Sequence, residues 1–267
     1  MSNSSEQIVE APALLRHDQD GIATLTLNRP AQYNALSVDL LTRLQAELDD
    51  IAQNGSLRVL IIAANGKAFC AGHDLKEMRA SEDYTVHQAL FEQCGRLMVS
   101  INRLPQPVIA QVNGIATAAG CQLVAHCDLA VAVEDARFAV SGINVGLFCS
   151  TPAVALSRNL LCKPAMQMLL TGDFISAQQA LQFGLVNAVV EAAELGSATR
   201  ALATKIAEKS SHSIRLGKDM FYKQLPMDLA EAYAYASERM ACNMDSHDAR
   251  EGIDAFIQKR KPEWNNK

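Results

Sequence analysis

Residues 107–133, PVIAQVNGIATAAGCQLVAHCDLAVAV, carry the reading of the fold. Val108, Ile109, Ala110 and Val112 open the stretch as a buried strand, and residues 129–133, LAVAV, close it as another. Between them Asn113-Gly114 turns the chain, and Ala116-Thr117-Ala118-Ala119-Gly120 runs into a helix near Cys121. Small residues at that junction leave almost no side chain to hold a ligand away from the backbone. A helix start also presents unpaired N–H groups and partial positive charge, which suits a developing oxyanion. Close packing of helix on strand is the alternative use of the same small residues.

Outward from this stretch the same alternation continues. Residues 22–28 alternate apolar with Thr and stop at Arg29-Pro30, as a strand would. Ser37 is placed to cap a helix with Leu40, Leu41, Leu44, Leu48 and Ile51 on one face, and Gly55 sits past its end. Residues 59–63 are a continuous apolar run, expected for a strand covered on both faces. A loop, AFCAGHDLKEM, follows, then a helical pattern over residues 85–102. Further on come Phe138-Ala139, a loop through Ser150-Thr151-Pro152, and a helix from Ala153. Ser176 caps a helix that Gly184 ends, and residues 185–190 read as a last strand. From Ala192 the pattern is helical only, in four segments, the last with Ile253, Phe256 and Ile257 on one face. Alternating strands and helices predict an α/β core with mainly parallel pairing. The expected organisation is a frayed tail over residues 1–12, a core over 13–191 and a helical region over 192–267.

Composition narrows the function. At 267 residues and 49% hydrophobic, the chain can bury a full core. Its net charge of −5 gives no support for a nucleic-acid surface, and no run of about 18 apolar residues suggests a membrane span. The acidic N-terminus lacks the apolar stretch of a signal peptide. Seven scattered cysteines without a CxxC spacing suggest reduced thiols in a cytoplasm. Cys70, Cys121 and Cys149 are candidate nucleophiles, with buried small hydrophobes as the alternative. No spacing suggests a metal site, a phosphate-cradling glycine loop or a GxSxG elbow.

Several motifs occur together in order: Asn28-Arg29-Pro30 with Asn34-Ala35-Leu36, AFCAGHDLKEM, VNGIATAAGCQLVAHCD, TGDFISAQQALQFGLV and AFIQKRKPEW. With them the chain resembles the enoyl-CoA hydratase/isomerase (crotonase) family over residues 22–264. The resemblance implies a ββα spiral core, a C-terminal helical region that trimerises, and a homotrimer or dimer of trimers. It implies an acyl-CoA thioester as partner and no cofactor beyond the coenzyme A moiety. The thioester oxygen would be held by the backbone N–H groups of His73 and Ala119. Ala31, Tyr33, Ala71, His73, Asp74, Leu75 and Lys76 match the family's coenzyme A contacts. Lys259 matches a tail lysine near the nucleotide phosphates, or is a solvated helix end favoured by the dipole.

The resemblance also implies two glutamates for hydration, and they fall on Gln122 and Gly142. A third carboxylate position, used by dienoyl isomerases, falls on Ser150. Glutamine orients water but takes no proton at neutral pH, and glycine does neither. Positioned acid–base groups contribute roughly 10²- to 10⁴-fold each, so hydration is expected to be slow or absent. Glutamates at both positions are expected to restore it. The His73 ring is the leading substitute, with decarboxylation as the corresponding reaction; alternatively only its N–H matters. His126 lies one turn after Gln122 and is read as a packed histidine bonded to a backbone carbonyl. Asn144, Cys149, Ser150 and Thr151 are candidate pocket-lining residues. A non-catalytic acyl-CoA-binding homologue is the alternative to an enzyme.

Overall fold

A computed structural model describes residues 11–265; the rest of the expected tail, residues 1–10, and the final residues 266–267 lie outside it. The chain starts with a hairpin, β1 (Leu14–Gln19) and β2 (Ile22–Leu27), then passes through helix α1 (Val38–Gln53) to β3 (Val59–Ala64) and β4 (Ala68–Cys70). Helices α2 (Leu75–Arg79) and α3 (Tyr84–Arg103) lead to β5 (Val108–Val112) and β6 (Ile115–Thr117). Helix α4 (Ala119–His126) leads to β7 (Leu129–Val133) and β8 (Arg137–Ala139). The remaining core elements are α5 (Ser150–Asn159), α6 (Cys162–Thr171), β9 (Ile175–Ser176), α7 (Ala177–Phe183) and β10 (Ala188–Val190). Helices α8 (Leu195–Ala207), α9 (Ser211–Gln224), α10 (Leu229–Met244) and α11 (His247–Ile257) follow.

The pairs β3/β4, β5/β6 and β7/β8 each send their first strand to one sheet and their second to another. The large sheet has the order β1-β2-β3-β5-β7-β10, parallel except for β1, and the small sheet has the order β4-β6-β8-β9, parallel except for β9. This is the expected α/β spiral of ββα units. The strands of the large sheet's centre are buried along nearly their whole length, as their predominantly apolar sequences require.

Local signals set most boundaries. Ser37 Oγ accepts the Leu40 N–H at 3.1 Å, and α1 buries Leu40, Leu41, Leu44, Leu48 and Ile51, each burial contributing about 1.5–3 kcal/mol. Ser176 and Gln179 form a reciprocal capping box on α7, which Gly184 ends at φ +84°.

Three boundaries differ from expectation. Strand β1 has no alternating pattern because most of its side chains face water, so only its pairing with β2 defines it. Helix α5 starts at Ser150, with Pro152 in its first turn, where a missing N–H leaves no bond broken. The strand expected over residues 185–190 shrinks to β10, because Asn187 Oδ1 takes the Ala130 N–H in place of a backbone carbonyl.

Of the C-terminal helices, α8 packs across β3, β5 and β7. Helix α9 is tied to the core by charge: Lys218 Nζ lies 2.6 Å from Asp128 Oδ2, and Tyr222 OH donates to Asp128 Oδ1 at 2.8 Å. Among the described residues no helix is long and apolar enough to cross a membrane.

Candidate active site

The loop after β4 and the turn before α4 are pressed together. A Cβ on Gly72 would lie 3.2 Å from the Ala119 nitrogen and 3.1 Å from the Thr117 carbonyl oxygen, and φ there is +91°. Amides on either side of His73 are engaged: the Ala71 N–H donates to the Tyr33 carbonyl at 3.0 Å, and the Asp74 N–H to Leu36 at 3.1 Å. The Ala118 and Gln122 N–H groups are likewise taken, by the carbonyls of Ala139 and Ala118. Between these pairs, the His73 and Ala119 N–H groups make no hydrogen bond among the described residues. Both residues line one cavity of about 360 Å³.

Ala118 sets the direction of the Ala119 amide. It sits at φ 50°, ψ −121°, a conformation that glycine adopts freely and alanine does not. Strain of this kind costs about 1–3 kcal/mol and persists where the surroundings enforce it. Ala118→Gly is therefore expected to raise stability by about 1 kcal/mol after glycine's extra chain entropy is counted, read as a higher urea midpoint.

A polar clip holds the His73 loop. Asn34, fully buried at φ 55°, accepts the Arg29 N–H and donates through Nδ2 to the Asn65 and Ala68 carbonyls, all at 2.8 Å. Arg29 reaches the Ala35 carbonyl at 2.6 Å and the Asp74 carboxylate at 3.1 Å. Asp74 also caps α2 by accepting the Lys76 N–H at 3.1 Å. The Asn-Arg-Pro motif thus acts on the site through Asp74 rather than by facing the cavity.

The remaining expected residues divide. Ala71, Leu75 and Gly142 line the cavity with His73 and Ala119, and so do Cys149, Ser150 and Thr151. Asn144 does not; its side chain turns toward the Gly172 carbonyl. Gln122 is buried but off the cavity wall, with Oε1 lacking a partner. Ala31 and Tyr33 are exposed on the turn over Pro30–Gln32, and the Tyr33–Ala71 bond holds that turn beside the loop. Lys76 is exposed on α2. Lys259 is exposed beyond the end of α11 and does not line the cavity. Phe91 and Met78 add to the apolar wall, beside Val145, Leu147 and Phe148. Sequence reasoning missed both, because the helical period places them beside the core stripe without saying what faces them.

Among the described residues, no aspartate or glutamate lines the cavity. Gly142 is walled in: its N–H points at Cys149 Sγ (3.3 Å), its carbonyl accepts the Leu147 N–H, and a Cβ would lie 2.5 Å from the Leu147 oxygen. Thiol nucleophiles are also disfavoured, since burial pushes Cys70 and Cys121 up to about 12 and raises Cys149. Burial pushes the His73 imidazole down to about 4; it packs edge-on to Phe91 at 5.4 Å, and its buried Nε2 has no partner. His126, also pushed down to about 4 chiefly by burial, bonds the Asn102 side-chain oxygen at 2.9 Å rather than a backbone carbonyl.

Two part-buried, neutral histidines give a pH signature. The unfolded chain takes up protons near pH 6.5, whereas the folded one resists until about 4. Stability is thus complete above pH 6.5 and falls as pH drops toward 4, by on the order of 1–2 kcal/mol per histidine at pH 5. Urea midpoints at pH 7.5 and 5 measure the loss, and His126→Gln should reduce it.

Similar proteins show what carries this architecture. A family model described as enoyl-CoA hydratase/isomerase matches residues 17–267. A rat protein named enoyl-CoA hydratase domain-containing protein 3, mitochondrial, is 48% identical over 93% of this chain and 83% of its own length.

The chain belongs to the enoyl-CoA hydratase/isomerase family.

Family members of known structure superpose closely. An enoyl-CoA hydratase of Mycobacterium smegmatis matches at a TM-score of 0.94 and 55% identity, over 95% of this chain and 99% of that one. Human enoyl-CoA hydratase domain-containing protein 3 matches at 0.92 and 48%, over 95% and 100%. The family's relatives in rat, mouse and human are named mitochondrial, which overturns the expected cytoplasmic location. Five of the seven cysteines are buried as small apolar side chains, so their reduced state reports packing and carries no address.

Proposed function

We propose that the protein binds an acyl-CoA thioester with its carbonyl oxygen between the His73 and Ala119 N–H groups and stabilises the enolate formed there. What supports this reading is that His73 and Ala119, whose N–H groups are unengaged among the described residues, lie on two segments in contact and line one cavity. Donors fixed before reaction need no reorganisation, and losing one costs roughly 3–4 kcal/mol of barrier. Ala31, Tyr33, Ala71, Asp74, Leu75 and Lys76 would hold the coenzyme A chain, with Lys259 near its phosphates, and no further cofactor is needed. Assembly as a trimer or dimer of trimers would cover exposed apolar side chains such as Leu161, Leu170, Phe256 and Ile257.

Hydration itself would be slow. Gln122 and Gly142 supply neither the base for water nor the acid for the α-carbon. Decarboxylation is the second reading, supported by the absence of any carboxylate on the lining. Loss of carbon dioxide makes the enolate without a base, and nothing there repels a carboxylated acyl group. The proton that converts the enolate to product would come from water, because the His73 imidazole is held neutral and its Nε2 is enclosed.

Turnover and binding across enoyl-, malonyl- and β-hydroxyacyl-CoA thioesters test the reading. The expected result is tight thioester binding with crotonyl-CoA hydration roughly 10²-fold or more below a glutamate-bearing relative. Binding without turnover of any thioester would leave a non-catalytic binder, and no binding would refute the reading. Rescue by Gln122→Glu with Gly142→Glu meets an obstacle that the sequence hid. The second change drives a Cβ into the Leu147 carbonyl, so it is expected to cost about 1–3 kcal/mol and give no rescue, whereas Gln122→Glu alone should fold.

A further inference from the structure

A second cavity, about 340 Å³, is lined by Arg103, Arg215, Arg239 and His212, with Leu216 on an apolar wall. Three guanidiniums around one small space repel one another, and in a chain of net charge −5 their grouping calls for a counter-charge. Arg103 and Arg215 have no ion pair or hydrogen bond among the described residues. Arg239 gives one nitrogen to Glu238 at 3.0 Å and stacks over the Tyr235 ring, yet its Nε is buried with no partner. Donors left without partners are unfavourable, and an anion in the cavity would satisfy those of Arg103 and Arg215. Asp219, the carboxylate on the wall, is already paired with Lys223 at 2.8 Å.

This cavity lies away from the acyl site. Helices α1 and α3 run side by side in the same direction, since Gln93 meets Thr42 and Gln45 meets Ser100. Phe91, on the acyl cavity, and Arg103 are therefore separated by about 18 Å of helix. The guanidinium fork matches phosphate oxygens in pairs, and the volume is at the small end of ligand cavities. We propose that the arginine-lined cavity binds the phosphate group of a small molecule, at a site separate from that for acyl-CoA.

Inorganic phosphate titrated into the full chain by calorimetry, in low-salt chloride buffer, tests this. Saturable binding is expected, undiminished by saturating coenzyme A and at least tenfold weaker in Arg103→Gln/Arg215→Gln. Both arginines are exposed, and an unchanged urea midpoint certifies the variant's fold. Absence of saturable binding, or equal binding by the folded variant, would overturn the proposal. Displacement by coenzyme A would overturn it too, by assigning the cavity to the substrate's own phosphates. These outcomes are independent of whether an enolate forms at His73 and Ala119.

Discussion

Gly120→Ala is expected to abolish acyl-CoA binding and to lower stability by about 3 kcal/mol. A Cβ at this position would fall on the Cys70 carbonyl oxygen and within 2.8 Å of the Cys70 Cβ. Neither neighbour is a flexible side-chain end, so α4 and β4 must separate. Those elements carry the two segments whose amides are proposed to hold the thioester oxygen, Ala119 at the start of α4 and His73 in the loop after β4. Even a small separation spoils donors whose worth depends on fixed placement. Gly95→Ala is the control, since a Cβ there meets nothing within 4 Å. In the middle of α3 it should stabilise by about 0.5–1 kcal/mol. Urea unfolding with an acyl-CoA titration of each variant distinguishes close approach from a general sensitivity to added methyl groups.

Asp128→Ala should be more damaging to the fold, at about 3–5 kcal/mol. The Asp128 carboxylate accepts the Val108 N–H at 2.7 Å as well as Lys218 and Tyr222. Lys218 is buried and also donates to the Ile101 and Gln106 carbonyls. Burial already holds its ammonium below the usual lysine range, with Asp128 opposing that shift. Without the carboxylate the folded state binds the proton more weakly still, while the unfolded chain holds it near pH 10.5. Stability of the variant should therefore rise with pH, and its deficit should be larger at pH 6 than at pH 9. Replacing both partners, Asp128→Ala with Lys218→Met, should recover much of the loss because no buried charge is left alone.

Several residues that line the candidate cavity were legible because their signals are local. The small-residue run over residues 116–120 and the loop around His73 announced where backbone could approach a ligand, and the neutral Gln122 and Gly142 stand in the sequence as read. What that reading could not reach was the walling of Gly142 by the Leu147 carbonyl, the Arg29–Asp74 clip, and Phe91 and Met78 on the cavity wall. Each depends on segments that meet only after folding.

By itself the sequence determined the alternation of strands and helices and the caps at Ser37 and Ser176. Periodicity and capping are complete within a few residues, so no distant partner can alter them. The tertiary structure alone decided that α9 docks on the core, through a carboxylate ninety residues away from its lysine. It also decided that the imidazoles of His73 and His126 stay neutral. Burial and charge pairing are properties of the packed whole, set by which surfaces exclude water together.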